Sequence, residues 1–174
     1  MKKSKVKIVL DADVIIHFHE GGCLGILPTI FEECEYIVLD YVYEEVLRKP
    51  VREQLQKLMD WFGNLQLVEF APTGEMMRDY ARILVGRGKG ESACLVYCLY
   101  NNDVIGSSNL KDIKKFCDQH GIAYLTTCDF LRYAWQRGIM TVEEIESFVE
   151  KVTSAESILP DDFDVERYTP NTQM

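Results

Sequence analysis

No stretch of this 174-residue chain approaches the ~20 uninterrupted apolar residues that a membrane span needs, so a transmembrane helix is not expected. The basic opening MKKSKVK is followed by a short apolar run that Asp11 and Asp13 interrupt. That argues against a secretory leader, and a cytoplasmic location is expected. Basic charge is in short supply: 19 Lys and Arg face 28 Asp and Glu, for a net charge of -9. A broad phosphate-binding surface is disfavoured, although net charge does not speak for a local groove. Histidine is scarce. His17 and His19 sit two apart on a presumed helix and point in different directions, and His120, beside Gly121, reads as surface. The six cysteines (Cys23, Cys34, Cys94, Cys98, Cys117, Cys128) match no compact disulfide framework. Cys94, Cys98 and Cys117 fall among apolar helical positions, where free cysteine behaves as a small hydrophobe. No second Cys/His pair joins Cys94 and Cys98, so a zinc set is not completed. Gly86, Gly88 and Gly90 precede no Lys-Ser/Thr pair, which removes a Walker loop. There is no internal repeat and no low-complexity block.

What is present is 47% hydrophobic, enough for one well-buried core and too short for two comfortable domains. Strands are predicted at 5–10, 35–39, 65–70, 103–107 and 122–126. Helical patterns lie between them. VREQLQKLMDWF places Val51, Leu55, Leu58, Met59 and Phe62 near one face, ESACLVYCLY repeats the pattern, and KDIKKFCDQHG ends at a plausible glycine cap, Gly121. LRYAWQRG and TVEEIESFVEKV form a closing helical pair, with Thr141 as N-cap and Glu144 three residues on. Trp61, Phe62, Tyr133 and Trp135 lie at helical spacing and read as core. Strand–helix alternation with Val/Ile-rich strands implies an α/β fold whose parallel sheet is covered on both faces. The expected division is a domain over 1–152 and an acidic arm or loose tail over 153–174, where Glu156, Asp161, Asp162, Asp164 and Glu166 accumulate.

Chemistry is carried by carboxylates placed just after apolar runs. Asp11 follows KIVL at the end of the first strand; its plain reading is an N-cap or turn aspartate. Asp13 precedes VIIHFH and is open to a capping role or to a place beside a metal. Glu45 in VYEEV suits an inward-pointing acid at a helix start, leaving Glu44 solvated. Alternatively both are first-turn acids favoured by the helix dipole, by ~0.3–1 kcal/mol. Glu91 follows GRGKG near a helix N-terminus, which favours its ionised form. Arg87 and Lys89, the basic residues near it, read as solvating the loop. Acids brought together at one sheet edge repel unless a cation sits among them, so the first expectation is a divalent-metal site.

LDADVII, VYEEV, GKGESACLVYC and HGIAYLTTCDFLRYAWQRGIMTVEEIESFV, in this order over residues 6–150, resemble a PIN domain. The resemblance implies a three-layer α/β/α sandwich with a five-stranded parallel sheet. It also implies Mg²⁺- or Mn²⁺-dependent phosphodiester hydrolysis, usually of RNA, with Asp11, Glu45 and Glu91 as the catalytic, metal-binding acids. Oxygen ligands favour these ions over zinc. The sequence departs from the family at the fourth position, commonly an aspartate after strand four, where it reads Ser107-Ser108-Asn109. The carbonyl of Asn109, or Asp112 one turn on, would complete the metal set, with Asp13, Ser107 and Ser108 supporting it from behind. Losing one negative charge weakens the binding of a second ion.

Two other readings stay open. One is a PIN-like module without turnover that binds RNA or a protein partner. The other is a haloacid-dehalogenase-like phosphatase, with Asp11 and Asp13 as nucleophile and acid, the Ser107–Ser108 run on phosphate and Lys114 or Lys115 as the cation. The phosphatase reading leaves VYEEV and GKGES without a role. A toxin-like nuclease would have an antitoxin covering its acidic pocket, and a homo-oligomer is also open.

Overall fold

The computed structural model describes residues 5–45 and 48–174, with Glu45 described by its backbone alone. Each apolar run becomes a strand, the second with the expected bounds and the others shorter: β1 Lys7–Leu10, β2 Glu35–Leu39, β3 Leu65–Val68, β4 Val104–Gly106 and β5 Tyr124–Leu125. All pairings are parallel, in the order β3-β2-β1-β4-β5. The central strand is fully enclosed, with Ile8, Val9 and Leu10 buried, as a parallel strand lying between two layers of helices should be.

The α-helices among the described residues are α1 Ala12–Glu20, α2 Leu27–Ile30, α3 Asp40–Glu45, α4 Lys49–Trp61, α5 Gly74–Ile83, α6 Lys89–Asn101, α7 Leu110–His120, α8 Thr127–Gln136 and α9 Val142–Ser154, with a 3₁₀ turn at Leu24–Ile26. From β1 the chain steps outward through β2 to β3, then returns to place β4 on the other side of β1. With right-handed crossovers, a reversal of direction moves the connecting helices to the opposite face. Accordingly α6 lies on β1, β2 and β4 and gathers α3, α5 and α7, while α1 packs with α9 and α2 with α8. This is the α/β architecture that the strand–helix alternation implies. An aromatic cluster seals the second layer, with Phe18 edge-on to Phe130 and Phe148, and Phe31 edge-on to Phe130 and Tyr133.

Local signals in the sequence are met by geometry. Gly121 takes a φ of 66° as the cap of α7. Thr141 and Glu144 exchange both bonds of a capping box at the start of α9. Other features differ from expectation. The short α2 and the whole of α5 have no counterpart in the sequence reading. Trp61 is 83% exposed rather than core, because it ends α4 beyond the face carried by Val51 and Leu55. α3 begins at Asp40, so Glu45 lies beyond its first turn rather than at a helix start.

Residues 155–174 lie against the domain. The Arg132 guanidinium donates to the carbonyls of Val165 and Glu166, at 2.6 and 2.8 Å. Leu159 and Val165 are buried.

Gly21 at the end of α1 lies under Phe148 of α9, and a Cβ there would run into the ring. Gly21→Ala is therefore expected to lower unfolding free energy by about 1–3 kcal/mol through overpacking. Urea denaturation measures this. Gly21→Ala at wild-type stability would show that α9 does not sit as described.

Candidate active site

Strand order reverses between β1 and β4, and in open α/β sheets that point forms a crevice beyond the strands' carboxyl ends. Asp11 is the first residue past β1; its N–H continues the ladder to the Gly106 carbonyl at 2.8 Å. Ser107, the first residue past β4, donates its N–H to Leu125 at 3.0 Å. Both side chains are thus fixed by the sheet itself. Asp11 is the N-cap of α1, accepting the Ala12 N–H at 2.8 Å on Oδ1, while its Oδ2 accepts the Ser107 hydroxyl at 3.2 Å. Asp13 is not the cap. It lies in the first turn of α1 and accepts the Ser108 N–H at 2.8 Å and the Ser107 hydroxyl at 3.4 Å, both on Oδ2. One serine hydroxyl therefore lies between two aspartates.

Glu91 arrives from the opposite side, in the first turn of α6. Gly90 lets that turn lie directly on α3, since a Cβ there would stand 3.3 Å from Val42 Cγ2 and 3.5 Å from Val42 Cα. This accounts for the glycine in GKGES. Glu44 of α3 is exposed. The side chain of Glu45 lies outside the described residues.

Asn109 stands where the motif resemblance implies the fourth acid. Its amide nitrogen donates to Glu91 Oε2 and to Asp112 Oδ2, each at 2.8 Å. It stands at the N-cap of α7 without capping it. With a carboxylate on either side, only the amide hydrogens, not the carbonyl oxygen, are electrostatically tolerable in that direction. Asn109 thus presents hydrogens where an aspartate would present charge. Arg87 is built into the same wall rather than solvating a loop. It donates to the carbonyls of Asp112 and Ile83, and its Nε lies 3.6 Å from Glu91 Oε1.

Electrostatically the edge is short of positive charge. Burial pushes the Asp11 carboxyl above its ordinary range, against hydrogen bonds from Ala12 and Ser107. Burial, then the Asp11 charge, pushes Asp13 up to about 7, with Glu91 adding to the effect. Burial and Asp11 likewise push Glu91 up to about 7, with Asp112 adding and Asn109 and Arg87 opposing.

Behind the acids lies a relay that the histidine reading missed. The Ser108 hydroxyl donates to Thr127 Oγ1 at 2.8 Å and accepts the Thr127 N–H at 2.8 Å. Thr127 Oγ1 lies 2.8 Å from Nδ1 of buried His17. Burial lowers the His17 pKa, which suits a neutral ring accepting the Thr127 proton. A polar residue among apolar neighbours, followed by a Thr-Thr pair far along the chain, was the only trace of this in the sequence.

A metal is implied by the motif resemblance. Among the described residues, no three His, Cys, Asp or Glu side chains are gathered so as to hold an ion as they stand. The donor chemistry nonetheless fits a hard divalent cation: the converging groups are carboxylates that raise one another, and Glu91 Oε1 is buried without a hydrogen bond. Zinc is a poorer match. Burial holds the Cys94 and Cys98 thiols well above their usual pKa, in the apolar core. A groove of about 430 Å³ lies elsewhere, between α9 and residues 163–166.

An open parallel sheet with acids at its switch point defines a class of α/β domain that binds its ligands at the strands' carboxyl edge. More narrowly, the chain has the PIN-like fold. No protein-family model matches the sequence, and no curated protein does. In shape it is similar to VapBC-1 from nontypeable Haemophilus influenzae, with a TM-score of 0.50 at 13% identity over 70% of this chain and 98% of that one. It is also similar to VapBC2 from Rickettsia felis, solved bound to a DNA fragment from the promoter, with a TM-score of 0.48 at 14% identity over 69% of this chain and 98% of that one. At such identities the likeness is one of fold.

The raised acids set a sign for stability. Their folded pKa values exceed the unfolded ones, so the folded state binds more protons, and stability is lost as pH rises from about 4 towards about 7. Without divalent ions, the melting temperature should fall between pH 5 and pH 8. Glu91→Gln should raise stability at pH 8 by about 1 kcal/mol and have little effect at pH 5. A variant less stable than wild type at pH 8 would mean that the edge is not short of cations.

Proposed function

We propose that the chain is a cytoplasmic, divalent-metal-dependent ribonuclease of the PIN type, hydrolysing phosphodiester bonds at the β1/β4 edge. The observation that carries this reading is the set of mutually repelling carboxylates, buried at Asp11 and half-buried at Asp13 and Glu91, with Glu91 Oε1 lacking a hydrogen-bond donor. Asp11 and Glu91 would hold Mg²⁺ or Mn²⁺, with Asp112 at the rim and Glu45 joining them as the motif resemblance implies. When bound, the ion supplies Lewis-acid polarisation of a phosphate oxygen and a water of lowered pKa.

The protein's own groups do the rest. Ala12 N–H and Ser107 Oγ fix the Asp11 carboxylate, so it meets substrate in one orientation. The Ser108 N–H supports Asp13 as an anion beside it. A carboxylate of this edge would take the proton of the attacking water during in-line displacement. Arg87 and Asn109 spread the charge of Glu91 and Asp112, keeping the wall folded before substrate arrives. The similarity to VapBC structures supports a toxin-like setting, in which an antitoxin covers this edge.

RNA incubated with the protein in Mg²⁺ or Mn²⁺ should be cut, cleavage should stop in EDTA, and Asp11→Asn should slow it at least ~100-fold. Equal cleavage by wild type and variant would defeat the assignment.

The orientation of Asn109 favours a second reading, a PIN-like module that binds RNA or a partner protein with little turnover. Its amide already does part of what a cation would do between Glu91 and Asp112. RNA retained in EDTA and left intact in Mn²⁺ would select this reading. Asn109→Asp should then raise Mn²⁺ affinity, about tenfold for one added carboxylate ligand, as read by calorimetry. The phosphatase reading loses one cation, since Lys114 is engaged by Asp118 and Tyr124 at 3.1 and 3.3 Å. Hydrolysis of an aryl phosphate would revive it.

A further inference from the structure

Asp129 is fully buried, and its carboxylate is surrounded by donors from two distant parts of the chain. From its own helix start come the Thr126 N–H at 2.6 Å and the Thr126 hydroxyl at 2.9 Å. From the C-terminal arm come the Tyr168 hydroxyl at 3.3 Å, the Asn171 N–H at 2.7 Å and the Asn171 amide at 2.9 Å. The Thr126 N–H bond, together with the Asp129 N–H donating to Thr126 Oγ1 at 3.3 Å, is an ordinary capping box. The three from the arm are not local: they reach back about forty residues. Thr172 adds a side-chain clasp on β5, donating to the Tyr124 carbonyl at 2.7 Å and accepting its N–H at 3.2 Å. The Tyr133 hydroxyl donates to the Thr172 carbonyl at 2.8 Å.

Thr126 is covalently joined to Thr127, and the two hydroxyls serve opposite sides. Thr126 faces the arm through Asp129 and lies 3.3 Å from the Tyr168 hydroxyl. Thr127 faces the loop after β4 through both bonds to Ser108, and Ser108 in turn directs its N–H at Asp13. A continuous polar chain therefore runs from residue 171 to residue 13. Every link is a hydrogen bond of a buried or half-buried group, or one peptide unit. A buried carboxylate that loses the arm's two side-chain donors must pull harder on those that remain or admit water. In either case the Thr126–Thr127 turn moves.

We infer that residues 155–174 are a structural wall of the acid edge, with Tyr168 and Asn171 as positioning residues that act through Asp129, Thr127 and Ser108 on Asp13. The arm is then part of the domain rather than an appendage to it. Its effect on catalysis rests on the ribonuclease reading, but the coupling itself does not.

The test uses the full-length chain carrying Tyr168→Phe with Asn171→Ala, and separately Thr127→Val and Thr127→Ser. Amide hydrogen exchange is followed in three segments: 107–112, 124–135 and, as a global reference, 35–39. The double variant and Thr127→Val should each speed exchange at 107–112 by roughly tenfold while 35–39 keeps its protection. Thr127→Ser, which keeps the hydroxyl, should restore wild-type exchange. RNA cleavage should show a lower kcat at unchanged KM in the same variants. Faster exchange confined to 124–135 and the arm, with 107–112 unmoved in the double variant, would overturn the inference. So would a uniform loss of protection that includes 35–39. Absence of cleavage by the wild type would count against the ribonuclease reading alone, since exchange reports the coupling without substrate.

Discussion

Negative charge held in a dry place is the constraint around which this molecule is arranged. Asp11 and Asp13 from the start of α1 and Glu91 from the start of α6 approach the point where the strand order turns back on itself. A carboxylate there loses hydration and gains like-charged neighbours, and both effects oppose ionisation. Without compensation such a cluster would either protonate or force the edge apart.

The compensation is neutral almost throughout. Backbone N–H groups at Ala12, Val14 and Ser108, the Ser107 hydroxyl and the Asn109 amide each give one or two hydrogen bonds to the acids. Arg87 brings a full positive charge, but its Nε stays 3.6 Å from Glu91 and most of its donors serve backbone carbonyls. Hydrogen-bond donors stabilise carboxylates without cancelling the charge between them. An edge built this way keeps its shape while the repulsion between its acids stays uncancelled. On the reading proposed above, a divalent cation would supply the missing positive charge.

The same logic extends outward. Supporting groups around a reactive edge must themselves be held, or the edge drifts. Here Ser108 is held by Thr127, Thr127 is met by neutral His17, and the adjacent turn is anchored through Asp129 to the C-terminal residues. The acids at the carboxyl ends of the strands and the polar anchors behind α8 form one connected structure, although they come from opposite ends of the sequence.

Much of this was legible in the chain alone. Val/Ile-rich runs between helical patterns identify five strands and a parallel sheet, because burial on both faces demands continuous apolar residues. Asp11 and Glu91 stand out as acids next to such runs, and the capping signals at Thr141 and Gly121 are local by nature, so neighbouring residues suffice to read them. What the chain could not reveal depends on contacts between distant segments. That Asn109 turns an amide hydrogen to Glu91, that Arg87 reaches Asp112, that His17 finds Thr127 and that Asp129 is held by Asn171 are all pairings across 18 to 110 residues. Periodicity records which face of an element is apolar. Only packing decides which polar groups meet across the gap between elements, because that depends on strand order and on where each helix comes to rest.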